Sequence, residues 1–224
     1  MLPNRPHLKR LLLVLMTATL ACVEAGAQEP APPSGPAQAD FRGEPAPAEV
    51  RRMADWVVAS ADNGSLPFAI IDKKEAEVLV FDRQGQILGA APVLLGLGVG
   101  DDSAPGIGNK PLSAIPPKDR TTPAGRFVAS LGHEGKTSIL WVDYKNNIAM
   151  HRVVTGTKKD HRLQRLATST PSDNRISFGC INVPVDFFDR TLLPAFKSAK
   201  GVVYILPEVR ATRDVFPHYH DAGE

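Results

Sequence analysis

No apolar run in this sequence is flanked and long enough to cross a bilayer, which takes ~20 residues. The run nearest the start, Leu11 to Leu20, is about half that length. Arg5, Lys9 and Arg10 precede it, and Ala25-Gly26-Ala27 follows with the small-x-small pattern that signal peptidase reads. Residues 1–27 are therefore expected to be a cleaved secretory signal, with Gln28 as the first mature residue. A lipoprotein signal ending at Cys22 is the rival, although Thr19-Leu20-Ala21 sets its leucine one position later than a lipobox does. Whether Cys22 is lipidated stays open. The expected location is the periplasm, with no membrane attachment after cleavage.

A basic excess is also lacking. The whole chain has 26 Lys and Arg against 24 Asp and Glu. Removing Arg5, Lys9, Arg10 and Glu24 with the signal leaves 23 of each. A general electrostatic grip on nucleic acid or anionic lipid needs a basic surplus, so nucleic acid is excluded as a partner. The glycines make no phosphate cradle either, since no G-x-x-x-x-G-K-[ST] occurs. Cysteine is scarcest of all. Of two, Cys22 leaves with the signal and Cys180 stands alone. An oxidising compartment favours cysteines in pairs, so the odd one is a reactive thiol, an intermolecular partner or a small buried hydrophobe.

What is present falls into five segments. Residues 28–47 are a Pro/Ala-rich linker with little to bury. Residues 48–61 have helical spacing, with Met53, Trp56 and Val57 on one face. Residues 66–207 are long enough for one domain with a real core. Residues 208–224 read as a loose tail. Within the domain, β-prone runs occur at 68–71, 78–81 and 87–95, then in TTPAGRFVASL, ILWVDY and NIAMHRV. The Gly/Pro-rich stretch 96–120 between them is too long for an ordinary connection and is a candidate lid or rim. A helix starts near Pro184 and the strand GVVYIL closes the domain. So many strands with so few helices predict a mainly β fold.

The chemistry concentrates in RISFGCINVP, residues 175–184. Gly179 lets the backbone beside Cys180 approach a substrate closely, or take a conformation a side chain forbids. A thiol with an ordinary pKa near 8.5 is only a few per cent thiolate at neutral pH, so it needs a base. His151 ends the strand NIAMH, where rigid scaffold aims its side chain. Spacing alone does not bring the two together. His218-x-His220 with Asp221 is a metal pattern only on paper, in a stretch expected to be loose. Trp141 and Phe127 are expected in the core rather than as sugar-stacking platforms.

M-H-R at 150–152 followed by S-F-G-C-I-N at 177–182 resembles the signature of the L,D-transpeptidase (YkuD) catalytic domain. TTPAGRF resembles that family's T-P-x-G-x-F strand, and the likeness runs over about residues 66–207. The resemblance implies a β-sandwich or barrel with a few short helices and a single catalytic domain. It implies Cys180 as nucleophile, His151 as general base, and the Arg152 carbonyl orienting the imidazole. The amides around Gly179 and Cys180 would form an oxyanion hole, with Ser177 and Asn182 shaping the loop. Phe178 stands where many members have histidine. The long flap 155–176 would offer Arg175 and other cations to substrate carboxylates, with Asp160 capping a short helix in it; a solvated basic face is the plainer reading.

The resemblance further implies a peptidoglycan enzyme of cell-wall synthesis and cell shape, working without cofactor or metal on stem peptides. It would form a Cys180 thioester with the third stem residue, lose D-alanine, and pass the acyl group to an amine. Carbapenems would acylate the same thiol. Resolution by water would make an L,D-carboxypeptidase instead. A catalytically retired peptidoglycan-binding module is the alternative from another class. A papain-like protease is disfavoured, because those place cysteine before histidine. A thiol paired with an imidazole is expected to react well below pH 8.5.

Overall fold

Apolar residues alternate along the strands so that one sheet serves two cores. In chain order the elements are α1 (Ala48–Ser60), β1 (Phe68–Asp72), β2 (Glu77–Phe81), β3 (Ile87–Pro92), β4 (Leu95–Gly96), β5 (Gly125–Glu134), β6 (Thr137–Asp143), β7 (Ile148–Arg152), α2 (Arg162–Leu166), β8 (Arg175–Ser177), β9 (Ile181–Val183) and β10 (Gly201–Ile205). This is a computed structural model that describes residues 37–155, 157–197 and 200–220, all within the unit Pro36–Glu224. The expected signal, Cys22 and linker residues 28–36 lie outside the described residues, as do residues 221–224.

Eight strands form one sheet in the order β3-β2-β1-β10-β5-β6-β7-β9. Its two ends nearly meet. Leu94, just past β3, exchanges both backbone hydrogen bonds with Asn182 of β9, at 2.8 and 2.9 Å. The fold is thus mainly β and barrel-like, with a few short helices, as expected from the strand-rich pattern.

Ala69, Ile71, Val78, Val80, Val203 and Ile205 point to the enclosed side. Their neighbours Phe68, Ile70, Leu79, Phe81, Val202 and Tyr204 point outward, where Met53, Trp56 and Val57 of α1 cover them. With both faces covered, β1 and β10 are buried at every position. The enclosed core is closed by Phe188, Leu192 and Phe196, spaced one turn apart on the helical run 185–196. Pro194 cannot donate an amide inside that run, and the helix widens to a π-turn over Phe188–Leu192 just before it.

Two segments read as loose are not. Phe41 is buried edge-on against Phe81, with centroids 5.3 Å apart, so the linker's end belongs to the fold. Beyond Leu206, Asp101 accepts the consecutive amides of Glu208, Val209 and Arg210 at 2.7–3.0 Å. A short helix, Thr212–Val215, follows, and Phe216 and Tyr219 bury themselves beside Trp56. A buried carboxylate and two aromatic rings therefore fix the described part of what the sequence presented as a polar tail.

Candidate active site

The same alternation builds a site on the outer face of β6, β7 and β9. β6 sends Leu140 and Val142 into the core, and β7 sends Ile148 and Met150. Ile139, Trp141, Ala149 and His151 are left facing outward. β9 pairs parallel to β7, with Met150 opposite Ile181 and His151 opposite Asn182. Cys180, immediately before β9, thereby stands on the strand beside His151. Both open into a cavity of about 600 Å³ that Ile139 and Trp141 also line, along with Lys110 to Leu112 of the 96–120 stretch. That stretch forms three 3₁₀ turns and is pinned by Asn147, whose Nδ2 donates to the Gly108 carbonyl at 2.6 Å.

The Nδ1 of His151 lies 2.7 Å from the Arg152 carbonyl. A carbonyl only accepts, so Nδ1 carries the proton and Nε2 is the free base of the neutral ring. Burial lowers the His151 pKa below its ordinary value, against the Arg152 bond, which raises it. Burial likewise pushes the Cys180 thiol up, although a backbone amide at Ala149 favours the thiolate. The thiol points at the Asn147 carbonyl, 3.6 Å away. Burial therefore favours a neutral thiol and a neutral imidazole over the ion pair. This direction runs against the expected thiolate well below pH 8.5, because desolvation outweighs the one amide that helps it.

Gly179 has φ +124°, and a Cβ there would meet the Thr121 carbonyl oxygen at 2.7 Å, so no side chain fits. Its amide donates to Ser177 Oγ at 3.0 Å, and Ser177 Oγ donates to the Cys180 carbonyl at 2.6 Å. Ser177 closes the loop upon itself. The Gly179 amide is engaged by that bond, which leaves the Cys180 amide as the remaining donor of the expected pair. Asn182 is buried; its Nδ2 donates to the Cys180 carbonyl at 3.4 Å.

No protein-family model matches the sequence, and no curated protein does. Solved structures do match. The helical cell shape determining protein Pgp2 from Campylobacter jejuni is 15% identical with a TM-score of 0.44, over 66% of this chain and 51% of that one. The catalytic domain of an L,D-transpeptidase from E. faecium is 14% identical with a TM-score of 0.40, over 62% and 95%. An L,D-transpeptidase from Mycobacterium tuberculosis H37Rv is 10% identical with a TM-score of 0.38, over 62% and 57%. This chain is similar to solved L,D-transpeptidases. It spans about half the length of the Pgp2 structure.

Several residues take roles that the motif alone does not reveal. Thr122 donates its hydroxyl to the Gly179 carbonyl at 2.8 Å and accepts the Gly96 amide at 2.9 Å. It braces the cysteine loop from the TTPAGRF strand. Arg162 of the flap donates to Asn182 Oδ1 at 2.9 Å and lines the cavity. Phe178 lies under the guanidinium of Arg120, 4.0 Å from the ring centre, so the last residue of the lid stretch sits on the cysteine motif. The Arg152 side chain turns away to Asp189 and to the Ser138 carbonyl.

Three expectations are corrected. Arg175 does not line the cavity; it is bound by Glu208 and donates to the Lys73 carbonyl at 2.9 Å. Asp160 does not cap α2, whose N-cap is His161 in the left-handed conformation. Its carboxylate accepts from Thr157 and Arg162 instead. Trp141 is half-buried, lines the cavity, and stacks on the exposed ring of Tyr144 at 5.5 Å. Phe127 packs on the enclosed core. His220 hydrogen-bonds the His218 carbonyl at 3.1 Å, while Asp221 lies outside the described residues. Among the described residues no group of His, Cys, Asp or Glu is arranged to hold a metal ion.

Proposed function

We propose that this chain is a periplasmic peptidoglycan L,D-transpeptidase that works through Cys180. The observation that carries the reading is the His151–Arg152 bond, which leaves Nε2 as a base on the strand next to Cys180, in one shared cavity. The likeness of its cysteine motif to that family agrees with it.

In the first half-reaction the Cys180 thiol gives its proton to His151 Nε2 as sulfur bonds to the carbonyl carbon of the third stem residue. The oxyanion that forms takes the Cys180 amide, a donor that can be worth ~3 kcal/mol. The C–N bond to D-alanine then breaks, and the imidazolium returns the proton to the leaving amine. A thioester on Cys180 remains and His151 is neutral again. An incoming amine of a second stem resolves it to a 3–3 cross-link; water would give the tripeptide. A carbapenem would be opened at its β-lactam carbonyl by the same thiol. No step requires a cofactor.

The test is mass spectrometry of residues 28–224 incubated with purified disaccharide-tetrapeptide, alongside Cys180→Ala. The expected product is a cross-linked dimer that the variant does not make. Tripeptide alone would make the protein a carboxypeptidase. Neither product, together with a Cys180 that a carbapenem leaves unmodified, would remove the enzyme reading and leave a binding module.

A further inference from the structure

One acid faces the cavity, and it has no partner among the described residues. Glu134 ends β5, lies opposite Thr137 at the tip of the β5–β6 hairpin, and is exposed. It lines the cavity with Cys180 and His151, and makes no hydrogen bond or ion pair with any described residue. The other charged side chains there are Lys110 on the lid and Arg162 on the flap. Arg162 is held by Asp160 and Asn182, and neither cation is within ion-pair distance of Glu134.

The charge of Glu134 reaches both reacting groups, since it raises the pKa of His151 and of Cys180. For acylation that is unhelpful. A negative neighbour disfavours the thiolate and the oxyanion alike. Its field favours cations: the transient His151 imidazolium of the first half-reaction and, in the second, the acceptor itself. An amine acceptor arrives as an ammonium, and its nitrogen becomes cationic again on attacking the thioester.

Resting on the transpeptidase reading, we infer that Glu134 is the acceptor-binding residue, which selects a primary amine over water as the group that resolves the thioester. The ammonium docks on the Glu134 carboxylate and loses one proton to solvent. The neutral amine attacks the thioester carbon, and the C–S bond breaks as the new C–N bond is completed. His151 Nε2 takes the second proton from nitrogen and passes it to the departing thiolate. Amide and thiol result, with every proton accounted for. Water carries no positive charge on arrival, so hydrolysis gains nothing from Glu134 at that stage.

The experiment compares the unaltered protein with Glu134→Gln, incubated with disaccharide-tetrapeptide, and reads the ratio of cross-linked dimer to tripeptide. Glu134 is exposed and unpaired, so the substitution is not expected to disturb folding; circular dichroism checks this. The ratio is expected to fall roughly two- to fivefold, as for one exposed charge pair, and to recover in part in Glu134→Asp. An unchanged ratio, or dimer and tripeptide falling together, overturns the inference; the second result would assign Glu134 to the donor stem. So does an unaltered protein that makes only tripeptide. A carbapenem adduct on Cys180 of the unaltered protein separates the two levels: without it the transpeptidase reading fails, and the inference with it.

Discussion

At the scale of single residues, burial acts on both His151 and Cys180. The imidazole is disfavoured as a cation, so Nε2 stays a base at pH values where an ordinary imidazole, near pKa 6.5, is already protonated. The acid limb of the acylation rate against pH is therefore expected below pH 6.5, read with a carbapenem and free enzyme. The thiol shifts the other way. Alkylation of Cys180 by iodoacetamide should keep climbing through and beyond pH 8.5. A rate already flat from pH 6 to 9 would mean a thiolate–imidazolium pair, and the neutral pair described above would be wrong. Sequence reasoning singled out the two residues that share the cavity, because motif order and the strand end at His151 are local features. It gave no sign of the burial that disfavours their charged forms, because Ile139, Trp141 and residues 110–112, which line the same cavity, are remote in the chain.

At the scale of elements, the cysteine loop is held from the segment leading into β5, which touches no reacting atom. Thr122 satisfies the Gly179 carbonyl and the Gly96 amide together, and both bonds are buried. Thr122→Val keeps the shape and removes both partners, leaving two buried groups unpaired at about 1–3 kcal/mol each. The expected result is an unfolding free energy, read by urea, lowered by that much and slower acylation of Cys180, with Thr122→Ser restoring most of both. A valine variant with unchanged stability and rate would mean that the loop keeps its form without this brace. TTPAGRF was legible as a strand and as part of the resemblance, yet nothing in it said that its second threonine reaches residue 179. The faces of β6 were equally opaque. In Ile139-Leu140-Trp141-Val142 every residue is apolar, so alternation gave no sign that Trp141 lines the cavity while Leu140 and Val142 fill the core. Arg175 was misassigned for a similar reason. Its partner Glu208 lies 33 residues on, in a segment whose polar composition suggested no structure.

At the scale of the whole molecule, one buried cluster ties together parts of the chain that are distant in sequence. Lys73 Nζ is fully buried and donates to Asp101 at 2.7 Å, to the Gly100 carbonyl at 2.6 Å and to the Thr122 carbonyl at 3.0 Å. Glu208 lies 3.4 Å from the same ammonium and is bound on its other side by Arg175. Two cations thus face two carboxylates where the β1–β2 turn, the lid's root, the strand that braces the cysteine loop and the C-terminal segment converge. Burial alone would raise the Asp101 pKa, but Lys73 and the backbone amides of Arg210 and Glu208 outweigh it and hold it at about 2. Against an unfolded value near 3.9 this contributes roughly 2 kcal/mol at neutral pH. The folded state releases its proton more readily than the unfolded one. The stability is therefore complete above about pH 4 and is lost as pH falls through about 2. Lys73→Met retains the length of the stem and removes the charge, leaving the cluster with one uncompensated carboxylate. Breaking a buried pair in this way costs about 3–5 kcal/mol, so the variant's urea midpoint at pH 7 should fall accordingly. The gap should narrow as pH drops from 4 toward 2, because protonating Asp101 in the variant removes the buried charge that destabilises it. Equal gaps at pH 7 and pH 3 would instead show that Lys73 stabilises by packing its stem, and that the ion cluster does not hold these segments together.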